Sequence, residues 1–211
     1  NVSPGKFRES GILMTGYQIR IKLYLFKVIM AQDVQIMLTR LIDKSLFAKE
    51  NLGKLHNTNT YKNYCYDLLS PLEKDKIYKK GKIYTLTIRT IDEDMAEFFY
   101  EVCPNINTRE FKGLTAEKRV LPRKIIEFIY TLTPMIIKAE NGYWKNCMSQ
   151  EEFEQRFIIN LTKKINNFKG DINDKDEINM EKFYSTIEFL NKTPVPMKYK
   201  NIKLLGDKVR L

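Results

Sequence analysis

The stretch "GKIYTLTIRTIDEDMAEFFYEVC", residues 81–103, decides the fold. Its first half, 81–91, is rich in β-branched and aromatic residues and reads as the cleanest strand in the chain. Its second half opens on Asp92, Glu93 and Asp94 and continues with an apolar face, which reads as a helix whose N-terminus favours acidic side chains. Metal binding by Asp92, Glu93, Asp94 and Glu97 is conceivable, but no second cluster matches them, and the helix terminus accounts for them with less.

Working outward, "IRIKLYLFKV" (19–28) alternates Ile19, Ile21, Leu23 and Leu25 with Arg20, Lys22, Tyr24 and Phe26, the period of a strand. "AQDVQIMLTRLIDKSLFAKE" (31–50) places Val34, Met37, Leu38, Leu41, Ile42 and Leu46 at helical spacing. "YKNYCYDLL" (61–69) reads as a strand, and "REFKGLTAEKRVLP" (109–122) as a strand or hairpin. The order β-α-β-β-α-β is the ferredoxin-like pattern, in which two helices cover one face of a four-stranded antiparallel sheet, an architecture common among RNA-binding modules.

The pattern then restarts. "KIIEFIYTLTPMIIK" (124–138) reads as one long strand. "SQEEFEQRFIINLTKKINNF" (149–168) reads as a helix with Ser149 and Glu152 at capping-box spacing and Phe153, Phe157, Ile158 and Leu161 as its stripe. "KFYSTIEFLN" (182–191) and "KYKNIKLLGDKVRL" (198–211) read as two strands, with "GDK" at 206–208 a turn. The expected fold is therefore α+β, with two tandem ferredoxin-like (RRM-like) domains at 19–122 and 123–211, the second incomplete, after a leader or tag-like segment at 1–18.

Composition narrows the function classes. With 36 Lys and Arg against 26 Asp and Glu, the 211-residue chain carries a net charge of +10. Nucleic acid is the simplest polyanionic partner for such an excess; a Lys-rich, AT-biased genome is the plainer alternative. Cys65, Cys103 and Cys147 are odd in number and widely spaced, with no Cys/His cluster, which argues against a zinc site or disulfide scaffold and for a reducing cytoplasm. No apolar run reaches the roughly 18 residues of a membrane span.

"LH" at 55–56 followed by "YKNYCYDLLSP", then "GKIYTLTIRTID", "FKGL", "YTLTPMIIK", "GYW", "FEQRFIINLTKKIN" and "IKLLGDK", form a series whose order and spacing carry a resemblance. From about residue 19 onward the chain resembles the CRISPR-associated endoribonucleases of the sixth Cas family. The resemblance implies two ferredoxin-like domains and cleavage of precursor CRISPR RNA within its repeats, without metal or other cofactor. The ribose 2′-hydroxyl attacks, leaving a 2′,3′-cyclic phosphate and a 5′-hydroxyl. The family's histidine, at the end of the first helix or in the loop after it, corresponds to His56, and a lysine six residues on to Lys62. Taken alone, His56 is one polar loop residue and Lys62 an edge-strand lysine. By resemblance, His56 is general base or general acid and Lys62 the ammonium that stabilises the phosphorane-like transition state, with Lys54 and Lys44 as alternatives.

Two departures stand out. The helix at 31–50 lacks the tyrosine some members place there, for which Lys44 or Ser45 could substitute. The family's glycine-rich loop near the C-terminus is missing, so the chain reads as C-terminally truncated. For RNA binding, the basic hairpin at 197–210 offers Lys198, Lys200, Lys203, Lys208 and Arg210, and "GYWKN" (142–146) offers Lys145 beside Trp144. An edge hairpin kept soluble by charge, and a Trp144 that closes the hydrophobic seam between the domains, are the plainer alternatives. The expected partners are CRISPR repeat RNA, held in the inter-domain cleft, and a Cas effector complex; no membrane is expected. A non-catalytic repeat-binding protein is the second reading, and an interaction module without RNA the third.

Overall fold

The alternation of β1 (Tyr17–Leu25) builds the first core. Ile19, Ile21, Leu23 and Leu25 are fully buried, each stabilising the fold by about 1.5–3 kcal/mol relative to exposure. The computed structural model describes residues 15–49, 52, 61–122, 128–140, 142–171, 186–199 and 202–211. The chain divides into two compact units, Asn1–Arg123 and Lys124–Leu211.

In the N-terminal unit, β1 is followed by β2 (Ile29–Met30), α1 (Ala31–Phe47), β3 (Tyr64–Tyr66), β4 (Ile77–Tyr78), β5 (Ile83–Thr90), α2 (Glu93–Val102) and β6 (Phe111–Val120). The main sheet has the order β3-β5-β1-β6, and each neighbouring pair is antiparallel. β1 runs from Tyr17↔Thr90 to Tyr24↔Ile83 against β5, and from Tyr17↔Val120 to Leu25↔Phe111 against β6. Both helices lie on one face of this sheet, since Val34, Leu38 and Leu41 of α1 and Met95, Phe98 and Phe99 of α2 share a single core with the inward residues of β1. The acidic start of α2 is a cap: the Asp92 carboxylate accepts from the Met95 backbone N–H at 3.0 Å. The 109–122 segment is one strand, β6, not a hairpin.

β6 carries a point of close approach. Its register against β1 shifts between Lys22 and Leu23, which brings Gly113 opposite Leu23. A Cβ on Gly113 would sit 2.0 Å from the Cys103 carbonyl oxygen and 2.8 Å from that of Pro104. Both are backbone atoms of the turn that ends α2. Gly113→Ala is therefore expected to destabilise the N-terminal unit by about 3 kcal/mol, the upper end of the usual cost of overpacking. A urea titration checks it; a midpoint equal to the parent's would show that the turn yields without cost.

The C-terminal unit contains α3 (Gln150–Asp171), β7 (Glu188–Phe189), β8 (Val195–Tyr199), β9 (Ile202–Gly206) and β10 (Val209–Arg210). The expected capping box is present: Ser149 Oγ accepts from the Glu152 N–H at 3.2 Å, and Glu152 Oε2 accepts from the Ser149 N–H at 2.8 Å. The core gathers Ile137, Trp144, Phe153, Ile187 and Val209.

Strand boundaries here differ from the sequence reading. Residues 128–138 do not form one long strand; they pair through isolated bridges, Tyr130↔Arg210 and Met135↔Asp207. Pro134, without an N–H to donate, stands between them. The 198–211 stretch splits into β9, which pairs with β8 as a hairpin, and β10, which pairs with β7. The chain is thus a mixed α+β protein with antiparallel sheets, and none of its described helices is long and apolar enough to cross a membrane.

Candidate RNA-binding site

Not all of the residues assigned to catalysis and RNA binding lie among the described residues. His56, Lys54 and Lys200 lie outside the described residues, as does the side chain of Lys198. Lys62 is exposed, two residues before β3 begins. Of its tyrosine neighbours, Tyr64 and Tyr66 pack against the core. The Tyr64 ring stands edge-on to Phe99 at 5.2 Å, and burial, aided by the charge of Asp43, raises its phenol pKa well above the ordinary value. Tyr66 Oη shares a 2.6 Å hydrogen bond with Thr39 Oγ1.

The two proposed substitutes for a helix tyrosine are both occupied. Ser45 is 1% exposed, and its hydroxyl donates to the Leu41 carbonyl at 2.8 Å. Its other neighbour is the Cys103 thiol at 3.9 Å, whose pKa burial pushes up to about 12. Ser45 therefore belongs to the core and does not face solvent; its helical spacing with Leu41 and Ile42 carries it inward. Lys44 is exposed, with its ammonium donating to the Asn107 carbonyl at 2.6 Å.

In the C-terminal unit, Lys203 and Lys208 are exposed, Lys203 on β9 opposite position 198 in register. Lys145 and Trp144 instead serve an interior acid. Asp207 is completely buried, and its carboxylate accepts from Tyr143 Oη at 2.6 Å, Trp144 Nε1 at 2.7 Å and Asn191 Nδ2 at 2.7 Å. The Lys145 ammonium lies 3.5 Å from it and 4.6 Å above the Phe189 ring. Burial pushes the Asp207 carboxyl pKa up. The hydrogen bonds from Tyr143, Trp144 and Asn191, with the Lys145 charge, together outweigh it and hold the group below the usual carboxylate range. The same contact raises the pKa of Tyr143, first by burial and then through its bond to Asp207. The "GDK" at 206–208 is accordingly more than a turn, and Trp144 fills the C-terminal unit's own core, 4.3 Å from Phe153 and 5.2 Å from Phe189.

A further cationic surface was not singled out from the sequence. The face of the N-terminal sheet opposite its helices carries Arg20 and Lys22 on β1, Arg89 on β5, and Lys112 and Arg119 on β6, with Glu117 among them. Lys22 donates to Thr85 Oγ1 at 3.0 Å, and Arg89 pairs with Asp67 at 2.7 Å. The alternation of 19–28 already placed Arg20 and Lys22 together; what it could not show is that Arg89, Lys112 and Arg119 come from two other strands to the same face.

No protein-family model matches the sequence, and no curated protein matches it. Solved structures do. An RAMP protein described as binding different RNA substrates aligns with a TM-score of 0.56 at 16% identity, over 92% of this chain and 87% of that chain. The product of a Cas6-related gene from Pyrococcus furiosus aligns with a TM-score of 0.56 at 15% identity, over 92% of this chain and 86% of that one. At such identities the likeness is one of fold, and in fold the chain is similar to these RAMP and Cas6-related proteins over nearly its whole length.

Proposed function

We propose that this protein binds CRISPR repeat RNA and cleaves it without metal, by attack of the ribose 2′-hydroxyl on the adjacent phosphate. The observation that carries the reading is the fold likeness to an RAMP protein described as binding RNA substrates, over 92% of this chain. The order β3-β5-β1-β6 with both helices on one face supports a ferredoxin-like N-terminal domain, and the C-terminal unit is read as its partial counterpart. His56 moves the proton, either from the 2′-hydroxyl or to the departing 5′-oxygen, and Lys62 stabilises the charge that builds on the phosphate. Cations of the N-terminal sheet face, with Lys203 and Lys208, hold the phosphate backbone.

A second reading, a repeat-binding protein without activity, draws on one observation: α1 offers no tyrosine, and Ser45 is buried while Lys44 is bonded to Asn107. One assay separates the two. A labelled CRISPR repeat RNA from the same genome is incubated with the protein in excess EDTA. Cleavage that leaves a cyclic phosphate is the expected result. Repeat-specific binding with no cut selects the second reading, and binding that does not distinguish the repeat from unrelated RNA overturns both.

A further inference from the structure

The C-terminal unit presents an aromatic face that neither its core nor its network uses. Residues 128–131 pair with the end of the chain: Ile129 N–H donates to the Leu211 carbonyl at 3.1 Å, and Thr131 N–H to that of Val209 at 3.0 Å. β10 pairs in turn with β7 on its other side. This short three-stranded arrangement has two faces. Val209 is buried in the core with Phe189 packed against it, while Tyr130, Arg210 and Glu188 stand in a row on the opposite face. Phe128 joins that face through its contacts with the Tyr130 ring and the Arg210 guanidinium, and Lys208, two residues before Arg210, is exposed.

On a sheet face, large aromatics normally go to the core. Here Phe128 is 52% exposed, Tyr130 55% and Leu132 73%. The two rings lie 6.4 Å apart, centroid to centroid. The Arg210 guanidinium sits 4.1 Å over the Phe128 ring and 5.8 Å from that of Tyr130, and Glu188 holds it from the side at 3.3 Å. Exposed rings, a planar cation fixed against them and a second cation in Lys208 are the elements on which unpaired bases stack while the backbone is neutralised. Two cations against one carboxylate suit a polyanion, and planar groups suit bases better than the side chains of a protein partner.

We propose that Phe128, Tyr130 and Arg210 form a stacking platform for single-stranded RNA. The proposal rests on the RNA-binding reading and deepens it: this part of the molecule takes an unpaired segment, through its bases, with little regard to sequence.

The test uses the full chain, Phe128→Ala/Tyr130→Ala, and the ring-preserving control Phe128→Tyr/Tyr130→Phe. Probes are a labelled repeat RNA, a short labelled oligouridine, and an abasic version of that oligouridine with the same phosphates. The parent is expected to bind oligouridine about tenfold or more tighter than the abasic strand, since stacking contributes about 1–3 kcal/mol per base and 1.4 kcal/mol is tenfold. The alanine variant should lose that margin and the ring-preserving variant keep it. A parent that does not distinguish the two strands, or an alanine variant that keeps the margin, overturns the platform. So does an alanine variant that converts a dimeric parent to a monomer with its RNA affinity unchanged, which would make the face an interface between copies. Failure of the parent on repeat RNA, with the oligouridine margin intact, overturns the repeat-processing reading and leaves the platform standing.

Discussion

Replacing His56 by alanine is expected to slow cleavage of a CRISPR repeat RNA by about 10²- to 10⁴-fold, the usual contribution of a positioned general acid or base. The loss should fall on kcat, with repeat affinity nearly unchanged, because a proton-transferring group contributes only as bonds break. The pH profile identifies the role. If His56 takes the 2′-hydroxyl proton it works as neutral imidazole, and the parent's rate falls as the pH drops below its pKa. If it protonates the 5′-oxygen it works as imidazolium, and the rate falls as the pH rises. The alanine variant lacks that limb in either case. Parent and variant cutting at equal rates would remove His56 from the mechanism.

The second large effect concerns stability. Asp207→Ala is expected to destabilise the C-terminal unit by about 3 kcal/mol, since each inward neutral donor left without its acceptor costs about 1–3 kcal/mol. Tyr143 Oη, Trp144 Nε1 and Asn191 Nδ2 would each lose an acceptor, and Lys145 its counter-charge. Trp144 is the chain's single tryptophan and donates to the deleted carboxylate, so its fluorescence reports this unit directly. The expected outcome is a tryptophan transition at lower denaturant, separated from that of the N-terminal unit. The sign with pH follows from the lowered carboxyl pKa. The stabilisation is present above the unfolded-state value of about 3.9 and is lost as the pH falls through the lower, folded one. Asp207→Asn should therefore be less stable than the parent at neutral pH, with the gap narrowing in acid. Coincident melts at pH 7 would show that the network contributes nothing net.

How far the sequence was readable depended on how local each signal was. The alternation of 19–28, the apolar spacing of 31–47 and the capping box at Ser149 and Glu152 are each written in a few consecutive residues, and each appears in the structure. The C-terminal strands were misjudged because apolar content over 124–138 resembles a strand, whereas pairing there depends on partners near residue 210 and is interrupted by Pro134. Asp207 was invisible for a similar reason. An acid between glycine and lysine looks solvated, and donors distant in sequence, Tyr143 and Trp144 with Asn191, make it an interior group. Phe128 and Tyr130 fall within the stretch that reads as one long strand, and nothing in that pattern marks their rings as exposed. His56 and Lys62 rest on the family resemblance alone, and His56 lies outside the described residues; the helix-side substitute Ser45 is turned inward by helical phase.

The placement of β1 between β5 and β6 also bears on how the protein is made. β1 is synthesised before both of its partners, yet Tyr17 pairs with Thr90 on one side and Val120 on the other. Its β5 partner can emerge and pair while the β6 side waits for roughly thirty further residues, about 2–6 s at ordinary rates of synthesis. During that interval the nascent chain holds a half-finished sheet with the central strand bare along one edge. Until β6 docks, that edge is open to pairing with any other strand.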